Sequence, residues 1–107
     1  MRKPTVTVRR WTGPPPDEET LRQIYASEGL RPYGWSNGPR DVYAVHRHHY
    51  EKVLRVVRGM IRFDLPDQGE SIELGPGDEM ILPANVAHGA VVGPDGVVCL
   101  EARRSAD

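Results

Sequence analysis

The sequence has little of what a disulfide framework, a membrane span or a nucleic-acid binder requires. A single cysteine, Cys99, excludes an internal disulfide and suits a reducing cytosol, so a cytoplasmic protein is expected. No apolar run approaches the roughly 18 residues of a membrane span, so no membrane partner is expected. Met1-Arg2-Lys3-Pro4-Thr5 is basic but has no apolar stretch behind it, unlike a signal peptide. No charge of one sign dominates: 14 basic and 15 acidic residues are interspersed and leave a formal charge of −1. Without a basic cluster, nucleic acid is not an expected partner. At 107 residues the chain is one domain with room for a real core. Its 11 glycines and 10 prolines favour short elements joined by tight turns over long helices.

Within those bounds the chain reads in two parts. Thr5-Val6-Thr7-Val8 alternates like a short strand with Trp11 beneath it, and Pro14-Pro15-Pro16 is a stiff spacer. Asp17 has the character of a helix N-cap, followed by Glu18 and Glu19 in the first turn. Leu21, Ile24 and Tyr25 then fall at helical spacing and Gly29 supplies a stop, so 17–28 is expected to be one amphipathic helix. Its expected role is to cover an open side of the domain; a mobile lid is the alternative. Residues 30–41 read as loop, with Tyr33 and Trp35 packing against the helix. From Val42 onward short strands follow one another: Val42 to His48, Lys52 to Arg58, Met60 to Leu65, Ser71 to Leu74, Met80 to Leu82, Gly89 to Val92 and Val97 to Ala102. Turn-forming clusters at 66–69, 75–78 and 93–96 separate them. This spacing predicts an all-β antiparallel sandwich or barrel.

Three of the four histidines stand in His46-Arg47-His48-His49. Side chains alternate along a strand, so His46 and His48 share a face and His49 points away. Two imidazoles on one face suit two cis positions of a divalent metal, and His88 is the remaining histidine for a third. Equally, each can be a surface residue or a hydrogen-bonded core residue. Lys52 and Tyr50 share the parity of His48 and are expected at the same cavity, Tyr50 as a hydrogen-bonding group toward substrate or as a gap filler at its mouth. Tyr43 and Val45 are expected on the opposite face, in a hydrophobic contact or subunit interface. Met60 and Met80 read as core, Cys99 as a buried inert thiol, and Arg103 and Arg104 as a solvated strand end.

Two segments together resemble the cupins, small antiparallel barrels of the jelly-roll type. The first cupin motif, G(x)5HxH(x)3-4E(x)6G, matches at His46, His48 and Gly59, with Arg40 at its first glycine and Lys52 at its glutamate. The second, G(x)5PxG(x)2H(x)3N, matches at Gly77, Pro83 and His88, with Asn85 at its inner glycine and Val92 at its asparagine. The resemblance covers about residues 38 to 102. It implies a jelly-roll β-barrel over 38–107, with 1–37 as an N-terminal arm and one short helix packed on it. It further implies one divalent transition metal (Fe, Zn, Ni, Mn or Cu) held by His46, His48 and His88. Glu51 joins them as a fourth ligand only if the turn before its strand rotates it inward.

Lys52 is the departure that matters. An ammonium about 5 Å from a dication would feel roughly 7 kcal/mol of repulsion at an effective dielectric of about 20. Lys52 must therefore be neutral, swing aside, or pair with an acid, or no metal binds. The resemblance implies a small-molecule substrate or ligand and an oxygenase-type enzyme, a dioxygenase being the leading subclass. Its alternatives are a non-catalytic binding or sensory module, and a metal-dependent isomerase or lyase using Lys52 as general base or amine nucleophile. It also implies a homodimer, with the N-terminal strand the candidate for exchange between subunits.

Overall fold

The computed structural model describes residues 5–104, so the reading of Met1–Pro4 and the end of the expected 38–107 barrel lie outside the described residues. The elements run β1 (Thr7–Arg9), α1 (Glu18–Ser27), β2 (Tyr33–Asn37), β3 (Val42–His46), β4 (Glu51–Leu65), β5 (Glu70–Leu74), β6 (Glu79–Leu82) and β7 (His88–Arg104), with a 3-10 turn over Pro66–Gln68. All pairings among the described strands are antiparallel. The order is β1-β6-β4-β7-β2, with β3 added to β7 and β5 to β4. This is the jelly-roll barrel expected from the sequence.

The two-residue period of β4 builds two cores from one strand. Leu54 and Val56 face the barrel interior, with Ile61, Phe63, Met80, Val92 and Cys99 among their neighbours. Val53 and Val57 face the other way and join Leu100 and Ala102 beneath the helix. A one-residue register shift between Val56 and Arg58 lets Val56 and Val57 both be buried.

Helix α1 starts where expected: the Asp17 carboxylate accepts from the Thr20 N–H at 2.8 Å, and the helix stops before Gly29 at φ 75°. Leu21 and Tyr25 are its buried stripe. Burying each side chain is worth about 1.5–3 kcal/mol, which a ten-residue helix needs because its own hydrogen bonds cannot sustain it. The Tyr25 hydroxyl sits against two strand carbonyls, Val53 O at 2.9 Å and Leu100 O at 3.2 Å, and burial pushes its pKa well up. The helix thus covers the outer face of β4 and β7. No helix among the described residues is long and apolar enough to cross a membrane.

Several boundaries differ from expectation. Residues 33–37, expected as loop, form β2, paired with β7 from Tyr33 opposite Glu101 to Asn37 opposite Val97. The two strands expected on each side of Gly59 are one, as are the two expected around 93–96. Gly59 (φ 82°) and Gly96 (φ 82°) bend β4 and β7 where the strands touch: a Cβ on Gly59 would stand 2.0 Å from the Gly96 carbonyl oxygen. Residues 93–96 stand opposite Met60 alone, so turn chemistry here makes a bulge and not a strand end. Met60 consequently points outward at 43% exposure, not into the core as expected; Met80 is core. The N-terminal strand pairs with β6 of its own chain.

Candidate metal centre and its cavity

His46 and His88 are cross-strand partners on β3 and β7, so their imidazoles leave the ladder side by side, with ring centroids 4.4 Å apart. His48 lies beyond the end of β3, which stops at His46 and not at His48 as expected. Its place is fixed instead by the loop before β7. The Asn85 N–H donates to the His48 carbonyl at 2.7 Å, and the Arg47 guanidinium donates to the Asn85 carbonyl and to Asp67. Asn85 does this from the left-handed region (φ 66°), the conformation that the motif's glycine supplies. The His48 ring then stands 4.6 Å from His46 and 5.2 Å from His88.

One ring nitrogen of each histidine lies within 4.8 Å of the others, close enough for one ion to be shared. The far nitrogens are already engaged: Nδ1 of His46 meets Ala44 O at 2.8 Å and Nδ1 of His88 meets Val86 O at 2.9 Å. A carbonyl can only accept, so both rings carry their proton on Nδ1 and present a bare lone pair at Nε2. Nδ1 of His48 meets the Tyr50 hydroxyl at 3.1 Å, and the two rings stack. Nε2 of His48 and of His88 are buried without a hydrogen-bond partner. Unsatisfied buried nitrogens are costly, and these two converge with the exposed His46 ring as a metal's donor set requires. Burial, with Lys52 and the neighbouring imidazoles, holds His48 down to about 4, and burial likewise lowers His88. Both therefore stay neutral, as ligation demands. Three histidines fit a divalent transition metal; they do not discriminate among its members.

The histidines form one side of a cavity of about 260 Å³, just below the roughly 300–1,000 Å³ of drug-sized ligand sites. Its floor is apolar, from Leu54, Ile61, Phe63, Met80 and Leu82. Beside Leu54, across the β4–β7 ladder, stands a group that sequence reasoning missed. Glu101, only 3% exposed, accepts from the Tyr33 hydroxyl, from Trp35 Nε1 at 3.3 Å, and pairs with Lys52 Nζ at 3.6 Å. Of the ways expected for Lys52 to coexist with a metal, pairing with an acid is the one observed. Tyr33 and Trp35 thus line the cavity through β2 and do not serve the helix as expected. Arg103 and Arg104 are both exposed at the end of β7, the solvated strand end expected, yet Arg103 also lines the cavity, with its guanidinium 4.3 Å above the Tyr50 ring.

The remaining assignments divide. Glu51 is turned to Arg104 at 2.6 Å and stands outside the histidine group, so it is not brought in as a fourth ligand. His49 is exposed, as its parity required. Tyr43, expected on the outer face, lines the cavity and meets Trp35 edge-on, because one extra residue between Tyr43 and His46 reverses the alternation. Val45 points outward at 58% exposure. Cys99 is buried, and burial pushes its thiol up to about 12.

No protein-family model matches the chain, and no curated protein does. Solved structures do. An RmlC-like cupin from Shewanella frigidimarina is 27% identical over 69% of this chain and 64% of its own, with a TM-score of 0.60. A chain from the structures of the DMSP lyases RdDddP and RnDddQII is 31% identical, with a TM-score of 0.65, over 72% of this chain. The polyketide cyclase RemF from Streptomyces resistomycificus is 24% identical over 92% of this chain, with a TM-score of 0.61. The chain spans 39% of the lyase chain's length and 64% of the cyclase's.

Proposed function

We propose, for a chain that belongs to the cupin superfamily, a metal-dependent enzyme that moves protons on a small molecule held in the barrel. The observation that carries this is the pair of buried Nε2 atoms, His48 and His88, that no protein group satisfies. His46, His48 and His88 would hold one divalent transition metal, which when bound supplies Lewis-acid polarisation, or oxygen activation if it is iron. Ala44 and Val86 carbonyls fix the tautomers of His46 and His88, and Tyr50 orients His48 through Nδ1. Lys52 is the group placed to give or take a proton: burial lowers its pKa and Glu101 offsets part of that. The apolar floor keeps bulk water from the reacting molecule. A lyase or isomerase is therefore favoured, and the likeness to a chain from the DMSP lyase structures supports that class. The oxygenase is the second reading, favoured by a donor set that is all imidazole.

Metal analysis of the purified protein, of His46→Ala and of His88→Ala tests the foundation. Stoichiometric metal in the parent and loss in both variants is expected; unchanged content in both sinks the assignment. Anaerobic loading with Fe(II), then oxygen consumption against a metabolite pool, separates the two classes. Consumption abolished by His48→Ala would establish the oxygenase, whereas turnover by zinc-loaded protein without oxygen would establish proton transfer.

A further inference from the structure

Lys52 and Arg103 are directly opposite each other in the β4–β7 ladder, so both side chains leave the sheet on the same face. Like charges at that spacing destabilise a sheet. The next pair on that face, Leu54 and Glu101, brings the one carboxylate of the cavity lining. That carboxylate is fully engaged by Tyr33, Trp35 and Lys52. Arg103 makes no ion pair with any described residue. It is exposed, yet it stacks over Tyr50 and donates to the Tyr33 hydroxyl at 3.4 Å. With histidines counted neutral, the lining carries two cations against one anion, and the surplus cation, Arg103, is the exposed one.

We propose that this cavity takes a small organic carboxylate, whose acid group binds between Lys52 Nζ and the Arg103 guanidinium beside the histidines. Lys52 has three N–H donors and the contact with Glu101 engages one of them. The planar fork of Arg103 suits a carboxylate in two-point contact. Glu101 and solvent at Arg103 let the fold tolerate the two cations as neighbours, and an anion between them relieves the repulsion that remains. Glu101 is a positioning residue: it orients Lys52 and, through Tyr33, Arg103. The cavity volume limits the ligand to a compact molecule, and its apolar floor suits a short hydrocarbon body beyond the acid group. This inference rests on the metal reading only for which end of the ligand reacts; anion binding does not need the ion.

The test uses succinate and propionate against their amides, succinamide and propionamide, by calorimetric titration at constant ionic strength. Protein stripped with chelator and protein loaded with zinc are both titrated, and metal content is measured on the same samples. The acids are expected to bind both forms, with the amides at least about tenfold weaker. Arg103→Gln should weaken acid binding by about tenfold to a hundredfold, the scale of one charge-assisted hydrogen bond. Lys52→Arg, which keeps the charge against Glu101, should retain binding better than Lys52→Gln. Circular dichroism on each variant confirms the fold. Amides binding as tightly as acids, Arg103→Gln within twofold of the parent, or no saturable binding by either acid would overturn the proposal. So would binding seen only with zinc and insensitive to Arg103→Gln. Acid binding by protein that takes up no zinc would sink the metal reading and leave this one standing.

Discussion

Replacing Glu101 by Gln removes one negative charge from the cavity wall and little else. The amide keeps the size of the side chain; its single oxygen can still accept from Trp35 Nε1, while its N–H then donates to the Tyr33 hydroxyl. What it cannot do is neutralise Lys52, whose side chain is only 15% exposed and whose nitrogen lies 3.6 Å from the carboxylate. At that distance the Coulomb attraction is about 5 kcal/mol at an effective dielectric of about 20. Removing one member of a buried pair typically costs about 3–5 kcal/mol, because the other is left uncompensated. Lys52 retains some access to water, so the lower end, about 3 kcal/mol, is expected. Urea unfolding followed by tryptophan fluorescence would show this as a midpoint lowered by roughly 2 M at unchanged slope. Lys52→Met in the Glu101→Gln background should recover about 2 kcal/mol, since nothing charged then remains to be desolvated.

Alkaline titration supplies an independent check. In the folded protein, burial holds Lys52 below its ordinary 10.5. Its contribution to stability therefore rises as pH climbs toward 10.5, since the unfolded chain binds the proton more tightly. Loss of Glu101 lowers the folded value further, so the deficit of Glu101→Gln should shrink steadily at alkaline pH. A Gln variant within 0.5 kcal/mol of the parent, or additive effects of the two substitutions, would refute the claim that this pair is coupled.

Three further outcomes follow from the same geometry. Because the folded pKa values of His48 and His88 are depressed, metal-free protein should lose stability as pH falls from 6.5 toward about 4; His48→Gln should flatten that thermal-melt profile, and an unchanged slope would count against the buried neutral imidazole. Gly59→Ala combines a left-handed backbone with a 2.0 Å approach to the Gly96 carbonyl oxygen, so it should cost roughly 4 kcal/mol or more, read as a fall in soluble yield and melting temperature. Cys99, buried with its thiol pushed up to about 12, should resist iodoacetamide in the native state and react at once in urea; native labelling would contradict its burial.

The three histidines were legible in the sequence because what marks them is local. His46 and His48 are two residues apart, His88 follows a glycine–proline–asparagine pattern, and the chain between has the length that a barrel needs to bring them together. Even so, the parity argument succeeded for His48 by a different route, since the strand ends at His46 and a loop hydrogen bond from Asn85 does the positioning. Glu101 was not legible because its role depends on which residues stand beside it on β2 and β4, and that register is set by two bulges in β4 and β7. A faint signal existed: an acid at Glu101 between Leu100 and Ala102, in a run otherwise apolar since Val97, has to find a buried partner. The inward turn of Tyr43 was hidden for a similar reason, since one unpaired residue in β3 inverts every alternation argument made from one side of it. Arg40 shows the converse. It occupies the first motif's glycine position yet holds that glycine's conformation, at φ 62°, so the backbone geometry outlived the residue type.

Lys52 and Glu101 together account for the electrostatics that the cupin pattern would otherwise supply with one carboxylate. In that pattern an acid at the position of Lys52 cancels one charge of a bound dication. Here the acid has moved across the ladder to β7, and its charge is taken up by Lys52, so the pair contributes nothing net to the site. A dication on three neutral imidazoles would then sit in a wall to which Arg103 adds a further positive charge. Water reaches Arg103 and screens part of that excess, and a negative group entering with the dication would relieve the rest. On the proposed reading, Lys in place of Glu would remove a ligand and raise the affinity for an anion in a single step. On this reasoning, metal and carboxylate should bind with positive cooperativity, each strengthening the other by the same factor.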